Sequence, residues 1–281
     1  MNILGCLKKI ENYIQILVIK EFSFMSKVLI TEQREQAGSD SYNRFEYQVH
    51  WIVCYIIGKM QENARCIVFC EFHDDMAEFS PNNQQYQFFQ IKTKEDPSNW
   101  TIAEMSKKEK KKTGEYKKSF LGFIFYNYLV FDNECSNCYF ISNNDFDNDV
   151  LLWQSYIEDE KILQKENIEL YKKIKNRIEN EFSNDMPSNF DSVFENFIQN
   201  TFIYKSELQL TTYEAQTMGK FFNYLADKNI PSNTANLIFQ QLLNDVRKKS
   251  KEKIKVPISM KSLVEKKGVD IAQIGKKIDG N

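Results

Sequence analysis

Four side chains in the first third of the sequence are of the types that could together hydrolyse a phosphodiester: Glu46, Asp75, Gln90 and Lys92. That reaction needs a metal ion to neutralise developing charge, a water aimed in line, and a group that helps the water lose its proton. Mg2+ (or Mn2+) takes oxygen ligands for this work. Gln90 and Lys92 stand at i and i+2 with Ile91 between them, so on a strand both point to one face. Asp75, or its neighbour Asp74, opens the segment before them. Glu46 lies on a preceding helical stretch and can approach from the side. Lys94 continues the Gln90–Lys92 face and could touch a phosphate, and Glu71 is the weaker acidic candidate. A strand carrying Gln and Lys on one face is commonplace. The signal lies in the order: helix with Glu, strand, acidic hairpin, strand with QxK.

The elements that must position these residues are legible from periodicity. From Tyr42 to Met60 the apolar residues Phe45, Val49, Ile52, Val53, Ile56, Ile57 and Met60 recur at helical spacing. Residues 66–72 (CIVFCEF) read as a buried strand and 73–79 as a second strand turning back. After the turn-rich 80–85, residues 86–94 read as a third. Residues 100–118 are polar and rich in lysine. Residues 119–131 are apolar nearly all round and predict a buried helix, and 137–143 a core strand. Beyond about 148 the pattern is helical, over 149–181, 190–200, 212–227 and 232–250, with a short strand at 202–210. The expected organisation is an amphipathic N-terminal helical extension (1–32), an α/β domain (33–148) and a mostly helical C-terminal subdomain (149–281) that holds partner or self-association contacts. Met25 is an alternative start.

The chain has 281 residues, 42% of them hydrophobic, and a formal net charge of −2. This balance suits a globular protein and does not advertise a nucleic-acid binder. The charge is segregated, however, with KKEKKKTGEYKK at 107–118 and RKKSKEKIK at 247–255. Such runs can bind phosphate, though lysine runs are often only solvated loops. Lys107, Lys108, Lys110, Lys111 and Lys112 follow the third strand closely and are candidate DNA contacts. The six cysteines show no disulfide framework, and the one CxxC, Cys135 and Cys138, lacks a second ligand pair for zinc. A reducing cytoplasm is the expected compartment. No run reaches the roughly 18 apolar residues of a membrane span. Only His50 and His73 are present, too few for histidine-based nuclease chemistry, and no GxxxxGK[ST] loop or GxSxG elbow occurs.

The stretches AGSDSYNRFEYQ (37–48), CIVFCEFHDDM (66–76) and QFFQIKTK (87–94) resemble the nuclease domain of the CBASS-associated double-stranded-DNA endonucleases of the Cap-four type. The similarity runs on through 119–146 and more weakly to about 265. That family is a divergent PD-(D/E)xK group whose third-strand motif is QxK. The resemblance implies a restriction-endonuclease-like core with a mixed central sheet flanked by helices, and metal-dependent cleavage of double-stranded DNA in antiphage defence. Asp75 would be the principal metal ligand, Gln90 the second through its side-chain oxygen, and Glu46 the third contributor to the metal or water shell. Lys92 would orient or activate the water. CBASS members carry a C-terminal nucleotide-sensing SAVED domain, for which this sequence leaves too little length. A similar nuclease domain also serves Lamassu-type systems, where an SMC-like partner senses DNA. A regulatory or sensor partner is therefore expected, SMC-like or nucleotide-sensing. The alternative is a catalytically inactive DNA-binding or protein-interaction subunit of such a complex.

Overall fold

The structure, a computed structural model, describes residues 37–279 except 111, 112 and 185, with backbone alone for 37–40 and 279. The extension at 1–32 and the candidate contacts Lys111 and Lys112 lie outside the described residues. Asn43–Asn281 is one compact unit. Its elements are α1 (Ala37–Gln61), β1 (Ile67–Phe72), β2 (Asp74–Ser80), β3 (Gln85–Lys92), α2 (Ile102–Met105), β4 (Glu109–Lys110), β5 (Tyr116–Lys117) and α3 (Phe120–Phe131). There follow β6 (Cys135–Ser142), α4 (Asn148–Glu158), α5 (Leu163–Glu166), α6 (Ile168–Phe182), α7 (Phe190–Asn200) and β7 (Thr201–Lys205). The chain closes with α8 (Tyr213–Leu225), α9 (Ser232–Lys251), α10 (Met260–Lys267), β8 (Gly268–Asp270) and α11 (Ile271–Asp279).

Six strands form one mixed sheet in the order β7-β6-β3-β2-β1-β8. β1, β2 and β3 make an antiparallel meander, β6 and β7 add in parallel to β3, and β8 adds antiparallel to β1. The sheet separates two apolar layers, as period-2 strands require when both faces are covered. On one face Phe69, Ala77, Phe88 and Phe140 pack with α3, α4, α6 and α7. On the other, Val68, Met76, Phe89 and Ile91 pack with α1, α8, α9 and α11. This is a restriction-endonuclease-like core. The apolar stripe of α1 accounts for its place: Val49, Ile52, Val53, Ile56, Ile57 and Met60 are all buried. Tyr55 ties the same helix to β2 by donating to Glu78 Oε2 at 2.7 Å.

Residues 149–281 are not helical alone. They supply β7 and β8, the two outer strands of the sheet. The 149–181 stretch is three helices, interrupted at Glu160, whose φ is 55°, and restarted by Asn167, whose side chain caps α6. The cysteines of the CxxC are buried and free, their sulfurs 3.7 Å apart beneath Tyr128. No described helix is long and apolar enough to cross a membrane.

Candidate active site

Antiparallel pairing sets the start of β2 beside the end of β3 (Met76 opposite Phe89), and this brings Asp75 to Lys92. Asp75 Oδ2 accepts from the Lys92 ammonium at 2.7 Å and from the Ile91 backbone N–H at 2.7 Å. Both side chains are mostly enclosed, 15% and 23% exposed. Alternation along β3 puts Phe88, Gln90 and Lys92 on the face covered by α3, with Phe89 and Ile91 on the other. Lys92 also lies over the Phe120 ring, 5.5 Å from its centroid. Burial works against the Lys92 charge, but Asp75, Asp74 and Glu71 together offset it and its pKa is raised.

Gln90 is 3% exposed, and its side-chain oxygen Oε1 is buried with no hydrogen-bond partner. A buried amide oxygen left so costs about 1–3 kcal/mol unless something electropositive meets it. Asp74 sits beside Asp75: its Oδ1 accepts from the Asp75 N–H at 3.1 Å, and Asn127 on α3 donates to its Oδ2 at 3.4 Å. Burial, then the Asp75 charge, raises its pKa. Glu71 is the residue before the last of β1, and its pKa is raised to about 7, by burial first and then by Asp75. The turn between β1 and β2 holds Glu71 and His73 in the left-handed region, with φ of 50° and 63°. Such strained positions persist where surrounding structure enforces them.

Among the described residues no group of three or more His, Cys, Asp or Glu forms a metal cage. The donor set around Lys92 is of another kind. It combines one carboxylate with an uncommitted oxygen, a second carboxylate and an orphaned amide oxygen, all hard donors that suit Mg2+ or Mn2+.

The other candidates fall elsewhere. Glu46 is buried on α1 and held by Arg247 of α9, whose Nε reaches both carboxylate oxygens at 3.1 Å and whose second nitrogen donates at 2.7 Å. For Glu46 to reach a metal, that pair would have to open. Two residues on, Gln48 donates to the Ile91 carbonyl at 3.0 Å, so α1 braces the end of β3 directly. Lys94 is committed within its own loop, bonded to Ser98 Oγ at 2.8 Å and to Glu104 at 3.0 Å, over the Trp100 ring. Lys107, Lys108 and Lys110 are exposed on and beside the β4–β5 hairpin, which leads into the N-terminus of α3 next to Lys92. Sequence reasoning missed Arg247 and Asn127. Each meets its carboxylate across a separation (201 and 53 residues) that no local pattern encodes.

Asp75 and the QxK strand thus lie together at one rim of this restriction-endonuclease-like sheet. The family of the Cap4 dsDNA endonuclease domain matches residues 36–250, and the chain belongs to that family. Among solved structures, a Moraxella osloensis Cap4 SAVED/CARF-domain containing receptor is similar at 16% identity and a TM-score of 0.44, over 73% of this chain and 43% of that one. The chain thus spans less than half of that receptor's length. Among curated proteins none matches.

Proposed function

We propose that this protein is a divalent-metal-dependent endonuclease of double-stranded DNA, acting as the effector of a prokaryotic antiphage defence system. The observation that carries the reading is the Asp75–Lys92 contact at 2.7 Å beside the buried, partnerless Gln90 oxygen. Family membership supplies the substrate class. Asp75 and Gln90 would hold Mg2+ or Mn2+, with Asp74 beside them and Glu71 at the margin. When bound, the metal would neutralise charge on the phosphate and acidify a water. Lys92 stands against Asp75, and its role would be to orient the attacking water and to stabilise the phosphate oxygens as charge builds on them. Phe120 lies beneath the Lys92 ammonium, with Trp100 edge-on behind it, and would limit bulk water there. Glu46 contributes by position, through Arg247 and through the bracing of β3 by α1. A nuclease of this kind needs restraint in its host, so a sensor or regulatory protein partner is part of the proposal.

The test is plasmid cleavage by the purified chain with Mg2+, with Mn2+ and with EDTA, alongside Lys92→Ala and Asp75→Asn, with any partner encoded beside it present. Metal-dependent nicking that both substitutions abolish is the expected result. Intact plasmid in every lane would instead indicate an inactive DNA-binding or interaction subunit.

A further inference from the structure

We infer that the C-terminal part of α9, the loop after it and α10 form a second phosphate-binding ridge that grips the DNA duplex on the β8 side of the Asp75–Lys92 site. Residues 247–267 hold nine Lys or Arg against two Glu, a net charge of +7 in a chain whose total is −2. Charge alone would signify little, and three structural observations carry the inference further.

The first is pairing. Lys59, Lys92, Lys94, Lys173, Lys175 and Lys205 all have carboxylate partners. Lys248, Lys251, Lys253, Lys255, Lys261 and Lys266 are exposed and, like Lys107, Lys108 and Lys110 of the β4–β5 hairpin, form no ion pair among the described residues. Their positive potential is uncompensated, which is the electrostatic footprint of a polyanion partner.

The second is position. β8 follows α10 directly and pairs with β1, Gly268 opposite Phe69. That register sets Lys267 at the end of β1, where its charge and those of Asp75 and Lys92 all act on Glu71. Arg247 holds Glu46, and Lys251 lies over Phe45, 5.4 Å from the ring centroid. The ridge is therefore anchored at the same rim as the candidate site.

The third is span. Three strand spacings separate β3 from β8, roughly 14 Å at about 4.8 Å each. This is close to the roughly 12 Å width of the DNA major groove. A duplex whose scissile phosphate meets Lys92 would offer phosphates of the facing strand to the ridge. The β4–β5 hairpin, with exposed Lys107, Lys108 and Lys110, stands beside Lys92 at the start of α3 and would hold the near strand.

The inference takes its polymer, duplex DNA, from the nuclease reading, and the test separates the two. Binding of the full chain to a short fluorescein-labelled duplex is followed by anisotropy in EDTA across a salt series. The variants are K251Q/K253Q/K255Q/K261Q and a control with equal charge loss on and just before α5 and α6, K161Q/K165Q/K172Q/K173Q, both checked for fold by circular dichroism. The ridge variant should lose about tenfold or more in affinity, and its salt slope should fall by about 0.9 for each phosphate no longer neutralised. The control should change less than about threefold with its slope intact. An unchanged slope in the ridge variant, equal losses in both variants, or no duplex binding by the native chain would each overturn the ridge. Ridge-dependent binding without Mg2+- or Mn2+-dependent cleavage would uphold the ridge and sink the nuclease reading instead.

Discussion

Replacing Arg247 with Met tests whether Glu46 acts on the metal or through position. The Glu46 side chain is 5% exposed and that of Arg247 26%. Removing the guanidinium strands a buried carboxylate, whereas removing the carboxylate leaves an arginine that can turn towards water. Breaking a buried pair by deleting one partner costs about 3–5 kcal/mol, and the partial exposure of Arg247 favours the lower end. R247M should therefore lose about 3 kcal/mol, a fall of about 6–12 °C in melting temperature for a unit of this size. Glu46→Gln should cost clearly less. The double variant should fall short of the sum, because the stranded charge is gone. Thermal and urea denaturation report these energies, and cleavage with Mg2+ is measured well below every midpoint. If Glu46 acts only by bracing β3 through α1, E46Q and R247M lower kcat alike and leave metal affinity unchanged. The reasoning is refuted if R247M melts within about a degree of the native chain, or if E46Q alone abolishes metal binding.

Lys92→Ala should reduce cleavage by at least about a hundredfold while leaving duplex binding in EDTA nearly intact, and a variant that cuts normally would exclude this residue from the chemistry. Gln90→Glu replaces the amide oxygen with the acidic ligand of the commoner ExK pattern and should retain metal-dependent cleavage, whereas Gln90→Met should weaken Mg2+ binding; isothermal titration with Mg2+ distinguishes the two. His50 predicts a pH effect on stability. Its pKa is lowered to about 4 by burial first, with the Arg247 charge adding and the Glu46 charge opposing, and its ring stacks edge-on against Tyr213. A depressed folded pKa means that the neutral ring's contribution is complete above the unfolded value near 6.5 and is lost as pH falls towards 4. Between pH 7.5 and 5 the loss is about 2 kcal/mol, and His50→Gln should remove that part of the pH dependence in urea melts. Phe125→Ala, in the wholly buried layer between α3 and α7, should cost about 3–5 kcal/mol with no selective effect on metal affinity.

The strands and helices around the site were legible because each carries its own period. The α1 stripe is continuous, β1 is a short β-branched and aromatic run, and β3 alternates between two apolar layers. Alternation put Gln90 and Lys92 on one face and an acidic pair, Asp74 or Asp75, opposite them, whereas the choice of Asp75 came from the family resemblance. What lay beyond reach was decided by tertiary pairing. β8 is three residues long and becomes a strand only because β1 offers a free edge. The stretch at 202–210 gives a strand of only five residues, as Ser206 turns to donate its N–H to Ser142. The pairing of Glu46 with Arg247 has no local signature, because nothing near either residue announces the other. The commitment of Lys94 to its own loop was equally invisible, since an i+2 lysine on a strand face reads alike whether it meets a phosphate or Glu104.

These outcomes share a topological cause. β1, β3, β6 and β7 end at one rim of the sheet, and β2 and β8 begin there. Side chains at strand ends leave the two apolar layers, so charged groups from several strands can gather at that rim and offset one another's burial. Glu71, Asp75, Lys92 and Lys267 come from four different strands or their flanks and are gathered at one rim because the strands terminate together. β8 is what brings the lysine-rich C-terminal segment into this group. Disrupting its pairing with β1, for instance by Val269→Pro, should therefore weaken duplex binding in EDTA while the Asp75–Lys92 pair on β2 and β3 stays formed. A Val269→Pro protein that keeps native affinity would show that the ridge does not depend on the rim, and a protein unable to fold would be replaced by the milder Val269→Ala for the same comparison.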